Sequence, residues 1–278
     1  MWAAALCSKL FCSGFKSVLK WVLLVGLVAV LYFWLKRPKI VSHVFTPKPL
    51  IPEPLKIVPC AYCGVHLPAQ DCIEYEQRHY CCPDHRNALD PAGWYGQAQW
   101  RPSPNHDARP NETVPDLVLM HHISLPPGQF GNNYISDFFQ NKLDFTAHAY
   151  FAEISGQQVS SHFLIDRNGL INQFVSTQKR AWHAGVSNFC GREQCNDFAI
   201  GIELEGDGQT SFTDVQYVAL EQLLKVLAKT YTNLSFAGHS DVSPQRKTDP
   251  GIHFDWRRLQ RENNLSQKKL PYGLEPRA

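Results

Sequence analysis

The longest apolar run in the sequence covers residues 21–35, which carry no charged side chain. This core is shorter than the ~20 residues that a membrane span prefers, but apolar residues precede it, and Lys20 and Lys36 can reach the two interfaces. The pattern predicts one transmembrane helix at 18–36 behind a basic N-terminal segment at 1–17. A cleaved signal peptide is the alternative, although no small-x-small cleavage site follows the run.

Further along the chain, the apolar positions follow strand and helix periods. The segment 199–206 alternates between an apolar face and a face that carries Glu203 and Glu205. Thr213 and Gln216 form a capping-box pattern ahead of a helical apolar stripe. Strands are predicted at 117–122, 159–165, 170–174 and 199–206, and helices at 134–139 and 214–230. These elements predict an α/β (α+β) fold in which helices flank a mixed central β-sheet.

Composition divides the chain into parts. The proline-rich stretch 37–58 predicts a semi-extended linker, because proline favours extended backbone. A small cysteine-rich module follows at 59–90, and a larger domain at 91–262 holds the predicted strands and helices. The polar tail at 263–278 carries two prolines and is predicted to be flexible. A chain of 278 residues has room for one medium domain and such an additional module.

Charge excludes one class of partner. The chain has 27 Lys and Arg residues against 25 Asp and Glu residues. A protein that binds nucleic acid would normally carry a clear basic surplus or patch, so nucleic acid is not expected as a partner. Seven of the nine cysteines precede residue 90, which indicates local metal binding or reduced thiols rather than a secreted disulfide scaffold.

The module at 59–90 has the spacing of a small zinc knuckle. Its candidate ligands for a second, structural zinc ion are Cys60, Cys63, Cys81 and His85. Three thiolates and one imidazole would close a tetrahedral site and fold a segment too small to build its own core. Cys82 could replace Cys81, and Cys72 is spare. A disulfide hairpin is the alternative, and the pattern also looks like that of short membrane-anchored CxxC…CxxxH proteins of bacteria.

The loop-like segment 238–251 concentrates groups that suit hydrolytic chemistry. His239 and Asp249 are candidate zinc ligands, and Lys247 adds a cation. A hydrolytic zinc site needs a third protein ligand, and the best donor is the strand at 117–122, which ends in two histidines. Glu203, an acid on an otherwise apolar strand, is a candidate general base.

Four motifs occur in order along the chain, namely HHISLPPGQFG (121–131), RAWHAGVS (180–187), GREQCNDFAIGIELEG (191–206) and GHSDVSPQRKTDPGIHFDW (238–256). They closely resemble the AmpD family of 1,6-anhydro-N-acetylmuramyl-L-alanine amidases, within the wider amidase_2 and peptidoglycan-recognition fold. The resemblance implies that zinc is held by His121, His239 and Asp249. It also implies catalytic roles for Glu203 and Lys247, with Glu203 as the acid and base and Lys247 beside the oxyanion.

By this resemblance, the substrate is an anhydromuropeptide or another peptidoglycan fragment. Trp182, His183 and His122 are then expected to line the substrate cleft. Gln158 and Gln194 stand where related sequences usually have arginines, which grip carboxylates in a bidentate manner. Asparagine is usual at the position of His122. These departures leave the zinc chemistry intact and put the selectivity for stem peptide and sugar in question.

Two other functions fit the same motifs. One is a periplasmic amidase that acts on polymeric peptidoglycan, and the other is a recognition domain that binds muropeptides without cutting them. The five expected zinc and catalytic residues are all present, which favours an enzyme. Basic residues are more numerous after the apolar run than before it, so the positive-inside rule predicts a single-pass inner-membrane protein with a cytoplasmic catalytic domain.

Overall fold

The computed structural model describes residues 7–37 and 54–275. The chain divides into two compact units, Met1–Glu53 and Pro54–Ala278. In the first unit, a single helix α1 spans Cys7–Leu35 and therefore begins well inside the segment predicted as a basic N-terminal extension. Its portion Val18–Leu35 is long and apolar enough to cross a membrane, a property that signal sequences share.

The second unit contains short strands and helices around one large sheet. Its strands are β1 (Ile57–Pro59), β2 (His66–Pro68), β3 (Ile73–Tyr75), β4 (Arg78–Tyr80), β5 (Gln99–Trp100), β6 (His106–Ala108), β7 (Leu117–Ile123), β8 (Phe163–Ile165), β9 (Ile171–Gln173), β10 (Lys179–Ala181), β11 (Asn188–Phe189), β12 (Arg192–Glu193), β13 (Ala199–Glu205) and β14 (Ser235–Gly238). Its α-helices are α2 (Pro83–Arg86), α3 (Tyr134–Phe139), α4 (Asp214–Thr230), α5 (His239–Val242) and α6 (Trp256–Glu262).

The six-stranded sheet has the order β14-β7-β13-β8-β9-β5. β8 and β9 pair antiparallel, whereas the other neighbouring strands pair parallel. The prediction of a mixed central sheet is therefore confirmed. The two longest strands, β7 and β13, are buried along almost their whole length because the sheet is covered on both faces.

Helix α4 covers one face of the sheet. Its buried leucines, including Leu223 and Leu227, pack in one core cluster with Ile200 and Ile202 of β13. Each fully buried leucine stabilises the fold by about 1.5–3 kcal/mol. Strand alternation then turns the other residues of β13, including Glu203, towards the opposite face, where the candidate site lies.

The capping box predicted for α4 is present. Thr213 accepts a hydrogen bond from the backbone N–H of Gln216, and the Gln216 side chain accepts one from the backbone N–H of Thr213. We expect Thr213→Ala to lower the free energy of unfolding by about 1 kcal/mol, because the backbone N–H of Gln216 loses its side-chain acceptor.

Urea unfolding of the full chain, followed by tryptophan fluorescence, measures the effect of Thr213→Ala. Thr232→Ala is the matched control, since Thr232 is exposed and lies after the helix. Equal unfolding midpoints for the two variants would contradict the contribution assigned to the cap.

The module around Cys60 is not separate from the larger domain, in contrast to the predicted division at residue 90. Residues from Pro54 onwards form one compact unit. Strand β1 begins within the predicted linker, and the remainder of that linker at 38–53 lies outside the described residues. The linker prediction therefore extends too far towards β1.

The predicted flexible tail also differs from the structure. Leu270 is buried in the core cluster beneath α4, and Tyr272 packs against Phe189. The sequence pattern did not predict that these two side chains are buried or packed, because single apolar residues in a polar segment form no periodic pattern. Residues 276–278 lie outside the described part of the chain.

Candidate active site

Two parallel strands deliver two histidines to one point. In the register of β7 and β14, Met120 lies opposite Gly238. The next residues of these two strands are His121 and His239, so both leave the sheet side by side at its carboxyl edge. His239 is also the first residue of α5, a single helical turn in a segment that the sequence predicted as loop. Asp249 returns to the same point from the turns that follow α5.

The three side chains meet through atoms that carry lone pairs. His121 Nδ1 lies 3.0 Å from His239 Nδ1 and 2.8 Å from an Asp249 carboxylate oxygen, which is 3.0 Å from His239 Nδ1. His239 donates from Nε2 to the carbonyl of Ala184, which leaves the Nδ1 lone pair free. Two imidazole nitrogens and one carboxylate oxygen facing one another fit a zinc ion that retains an open position.

Burial and charge set the protonation of this group. Burial, with the neighbouring His239, lowers the pKa of His121 to about 4. Burial alone would raise the pKa of Asp249, but the adjoining imidazoles of His121 and His239 hold that pKa below the usual range. At neutral pH, the site therefore offers a neutral His121 imidazole and an ionised carboxylate, the forms that bind a metal.

Glu203 lies next to His121 across the sheet, because the two residues are register partners in β13 and β7. Its side chain is buried, and its Oε2 atom has no hydrogen-bond partner among the described residues. Burial raises the pKa of Glu203 well above its ordinary value, and the negative charge of Asp249 adds to this effect. A buried carboxyl with a raised pKa and a free oxygen is suited to proton transfer.

The site opens into a cavity of about 340 Å³. Its walls include all three candidate ligands together with Glu203, Lys247, His122, Trp182 and His183. His122, which was expected in the substrate cleft, lines this cavity together with His121. His122 is not part of the group that could hold the metal. Lys247 is exposed, so its ammonium can approach a ligand from the solvent side.

His183 has a role that the sequence did not indicate. His121 Nε2 lies 3.0 Å from His183 Nδ1. Because His121 Nδ1 faces the other candidate ligands, the proton of the neutral ring belongs on Nε2, which donates it to His183 and so orients the ring of a candidate metal ligand. The glycine at position 201 makes this possible, since a Cβ atom there would lie 2.6 Å from the His183 ring. Nothing in the sequence pattern of Trp182-His183 reveals this contact, which joins residues 62 positions apart.

We expect His183→Ala to weaken zinc binding about 10–100-fold, because His121 loses the acceptor that fixes its ring and tautomer. Competition with a zinc-binding dye measures this affinity in the full chain. His106→Ala is the control, since His106 is exposed and lies outside the cavity. An unchanged affinity in His183→Ala would assign His183 to substrate contact alone.

The two glutamines that replace the expected arginines lie outside this cavity. Gln158 lines an adjoining hollow that shares Trp182, His183 and Lys247 with it. Gln194 lines a further hollow beyond Arg246. The structure therefore brings Trp182 and His183 to the candidate metal group and places both glutamines at the periphery.

A second set of candidate ligands converges elsewhere in the same unit. The sulfur and nitrogen atoms of Cys60, Cys63, Cys81 and His85 lie within 4.8 Å of one another. Burial would raise the pKa of Cys60, but hydrogen bonds from the backbone N–H groups of Cys63 and Cys81 outweigh it and lower that pKa to about 6. This set is apart from the cavity, whose walls contain none of its members.

The part of the chain that holds this site matches a known protein family. The model of the N-acetylmuramoyl-L-alanine amidase family matches residues 111–252, which include all three candidate ligands and both candidate catalytic residues. The chain belongs to this amidase family. The matched region begins after the Cys/His module, so the amidase carries an additional N-terminal part.

Several curated relatives of the amidase are AmpD proteins. It is 57% identical over 159 residues to the 1,6-anhydro-N-acetylmuramyl-L-alanine amidase AmpD of Haemophilus influenzae, which covers 56% of this chain and 86% of that relative. It is 49% identical over 169 residues to AmpD of Escherichia coli, which covers 60% of this chain and 92% of that relative. AmiD of Escherichia coli is more distant, at 36% identity over 145 residues, 46% of this chain and 50% of AmiD.

A solved structure agrees with these relatives. The crystal structure of a selenomethionine derivative of AmpD superimposes on the amidase with a TM-score of 0.61 and 47% sequence identity. The superposition covers 62% of this chain and 97% of that structure. The amidase therefore contains nearly the whole AmpD fold together with other residues of its own.

Proposed function

We propose that this amidase is zinc-dependent and hydrolyses the amide bond between 1,6-anhydro-N-acetylmuramic acid and L-alanine in muropeptides, as a step of peptidoglycan recycling. One observation carries the proposal. Two imidazole nitrogens and a carboxylate oxygen converge within 3.0 Å at the wall of a cavity that Glu203 also lines. The similarity to AmpD relatives, whose names specify the 1,6-anhydro sugar, supports the substrate class.

His121, His239 and Asp249 would hold the zinc ion. When bound, the ion supplies a positive charge that polarises the amide carbonyl and acidifies a water. Glu203 takes a proton from the attacking water at its free Oε2 atom and then gives a proton to the departing amine of L-alanine. Lys247 places its ammonium beside the oxygen that becomes negative as the carbonyl carbon turns tetrahedral.

The rest of the cavity suits a ligand with both apolar and polar parts. The side chains of Tyr150 and Trp182 offer aromatic faces, while His122 and Asp207 add polar groups. A sugar ring and the methyl group of alanine fit such surfaces, because the C–H groups on one face of a sugar pack against the flat face of an aromatic ring. The muropeptide would therefore be held by packing on one side of the scissile bond and by hydrogen bonds on the other.

This chain has Gln158 and Gln194 at the two positions where related sequences usually have arginines. Another cation must therefore bind the carboxylates of the stem peptide. Arg180 and Arg246 line the hollow that contains Gln158. Arg180 is already paired with Asp107 and Asp197, whereas the partners of Arg246 among the described residues are neutral acceptors such as the carbonyls of Ala184 and Val186. Arg246 is therefore the cation that we assign to the peptide carboxylates.

The apolar helix at Val18–Leu35 supports a further part of the proposal, a single-pass anchor in the inner membrane with the catalytic domain in the cytoplasm. Alkaline phosphatase fused after residue 278 is inactive in the cytoplasm and tests the orientation. An active fusion would place the catalytic domain in the periplasm.

The substrate class is tested with the purified full chain in detergent. Anhydromuropeptide, the matching muropeptide with a reducing N-acetylmuramic acid, and intact peptidoglycan are supplied in parallel, and mass spectrometry follows the released stem peptide. We expect zinc-dependent cleavage of the anhydro substrate, with slower cleavage of the other two.

Each other result of that experiment has a distinct meaning. Preferential cleavage of intact peptidoglycan would replace the recycling role by that of a wall amidase. Binding of anhydromuropeptide without cleavage, in a chain loaded with zinc, would leave a recognition domain and refute the roles of Glu203 and Lys247.

A further inference from the structure

A cluster of three cysteines and one histidine lies outside the amidase cavity and has no part in the proposed reaction. Cys63 Sγ lies 3.9 Å from Cys81 Sγ, and His85 Nδ1 lies 3.7 Å from Cys60 Sγ and 3.0 Å from Cys81 Sγ. A tetrahedral zinc ion with Zn–S bonds of about 2.3 Å and Zn–N bonds of about 2.0 Å separates its sulfur atoms by about 3.8 Å and sulfur from nitrogen by about 3.5 Å. The distances from Cys63 Sγ to Cys81 Sγ and from Cys60 Sγ to His85 Nδ1 are close to these values, while His85 Nδ1 lies nearer to Cys81 Sγ than the ideal geometry requires.

The backbone is shaped to present these four groups. Cys60 and Cys63 belong to a tight turn in which the N–H of Gly64 donates to the carbonyl of Cys60, and Gly64 adopts a positive φ of 73°. On the other side, His85 projects from α2, the short helix that begins directly after Cys82. The turn supplies Cys60 and Cys63, and the segment that leads from β4 into α2 supplies Cys81 and His85, so two short pieces of chain each contribute two ligands.

The other two cysteines of the module are not part of the cluster. Cys72 donates to the carbonyl of Pro68, and Cys82 precedes α2 without joining the ligand group. All five cysteines of the module, Cys60, Cys63, Cys72, Cys81 and Cys82, carry free thiols. The ligand set is therefore the one with Cys81 rather than Cys82, and Cys72 provides a matched control.

The module has little core of its own. Its two sheets, β1-β2 and β3-β4, each contain two strands of three residues. Between residues 54 and 88, the buried apolar side chains are those of Val58, Cys60 and Tyr80. So small a core cannot offset the loss of chain entropy on folding, so a crosslink such as a metal ion is needed.

The module is joined to the catalytic domain through β4. The Tyr80 hydroxyl donates to the carbonyl of Gly96, and Arg78 Nη2 donates to the carbonyl of Ala98 over 2.6 Å. The Arg78 guanidinium also lies 3.9 Å from the centre of the Trp100 ring. A Cβ atom at position 96 would lie 2.2 Å from the carbonyl oxygen of Arg86, so only glycine permits this close approach.

These contacts converge on one edge of the catalytic sheet, where the backbone from Gly96 to Trp100 is buried or half-buried. Ala98 directly precedes β5, and Trp100 is its last residue. β5 is an edge strand of two residues that pairs with β9 in the described part of the chain. The backbone beside it is also tied to Gln173, whose side chain accepts from the N–H of Tyr95 and whose carbonyl accepts from the N–H of Arg101. So short a strand has few ladder hydrogen bonds, and the contacts from the module add to those that fix its position.

We propose that Cys60, Cys63, Cys81 and His85 bind a structural zinc ion, and that this zinc-bound module braces β5 and thereby the edge of the catalytic sheet. The ion orders the turn before Gly64 and the helix α2, and it fixes β4 between them. Tyr80 and Arg78 of β4 then hold the backbone from Gly96 to Trp100 in place.

The first test counts zinc in the full chain purified in detergent under reducing conditions. We expect two zinc ions per wild-type chain, one in Cys63→Ser, one in His239→Ala and none in the double variant. Cys72→Ser should retain two. The zinc ions at the Cys/His cluster and at the catalytic site are thus counted separately. The count at the cluster therefore tests this proposal even if the proposed amidase function is wrong.

Cobalt substitution identifies the ligands. We expect thiolate-to-cobalt charge-transfer absorption in His239→Ala, which retains the cysteine cluster and lacks a ligand of the other site. One zinc ion in the wild type, with no loss in Cys63→Ser, would overturn the proposal. A disulfide between any two of Cys60, Cys63 and Cys81 in the chain isolated from cells would overturn it as well.

The second test asks whether the ion braces β5. Hydrogen exchange of the peptide that covers residues 94–101 is compared between the wild type and Cys63→Ser, whose altered side chain is exposed. We expect exchange about tenfold faster or more in the variant, with β7 still protected. Loss of the zinc ion without faster exchange at β5 would refute the bracing and leave only a metal site.

Discussion

His239→Ala is expected to remove one zinc ion per chain and to lower amidase activity by about a thousandfold or more. The imidazole supplies one of the three converging lone pairs, and the remaining pair of His121 and Asp249 cannot by itself hold the ion firmly. Loss of the charge that the ion supplies costs several kcal/mol of transition-state stabilisation, and about 4 kcal/mol corresponds to a thousandfold in rate.

The measurement pairs zinc content with stem-peptide release from anhydromuropeptide. His253→Ala is the matched control, because His253 lies in the same C-terminal segment and outside the ligand group. It should retain both zinc and activity. Activity within tenfold of the wild type in His239→Ala, after removal of contaminating metal, would show that this histidine does not hold a catalytic ion.

Glu203→Gln is expected to lower kcat by about 10²–10⁴-fold while zinc content stays unchanged. Glutamine keeps the shape of the side chain but cannot accept the proton of the attacking water. KM should change little, because Glu203 acts on the proton rather than on substrate affinity. Steady-state kinetics with anhydromuropeptide separate the two constants, and a wild-type kcat in the variant would exclude Glu203 as the base.

Glu205 supplies a contrast within the same strand. It lies two residues after Glu203, on the same side of β13, but its carboxylate accepts hydrogen bonds from the backbone N–H groups of Gly131 and Arg167. Glu205→Gln should therefore lower stability and leave kcat of the folded enzyme close to that of the wild type. A fall in kcat equal to that of Glu203→Gln would contradict the assignment of a structural role to Glu205.

The raised pKa of Glu203 also predicts how stability varies with pH in the metal-free chain. The folded state holds the proton of Glu203 more tightly than the unfolded state, whose carboxyl has the ordinary value of 4.5. As pH rises above this value, unfolding releases a proton, so the wild type loses stability relative to Glu203→Gln. Thermal unfolding of the two metal-free proteins from pH 4 to 8 should show a growing advantage for the variant.

Much of the fold could be predicted from periodicity. The strands β7 and β13 and the helix α4 are long, strongly patterned elements, and their positions agree closely with the predictions. The strands β8 and β9 are shorter than predicted, at three residues each, because the apolar residues around them pack without joining the sheet ladder. Leu270 was missed for a related reason, since one buried residue creates no repeat.

The candidate site could be predicted in its residues but not in its supports. His121, His239, Asp249, Glu203 and Lys247 stand out because their chemistry is unusual for the segments that carry them. The carbonyl of Ala184, which receives the proton of His239 Nε2, is a backbone atom that any residue could supply. The sequence therefore does not indicate which backbone carbonyl accepts this hydrogen bond.

The sequence by itself determined the kinds of element in this protein and the inventory of reactive groups, because hydrophobic period and side-chain chemistry are local properties. Tertiary structure decided which groups meet. The register that sets Met120 opposite Gly238 brings His121 beside His239, and the packing of the Cys/His module against β5 joins two parts that composition had separated. Both depend on contacts between residues distant in the chain, and distance in the chain carries no information about distance in space until the chain folds.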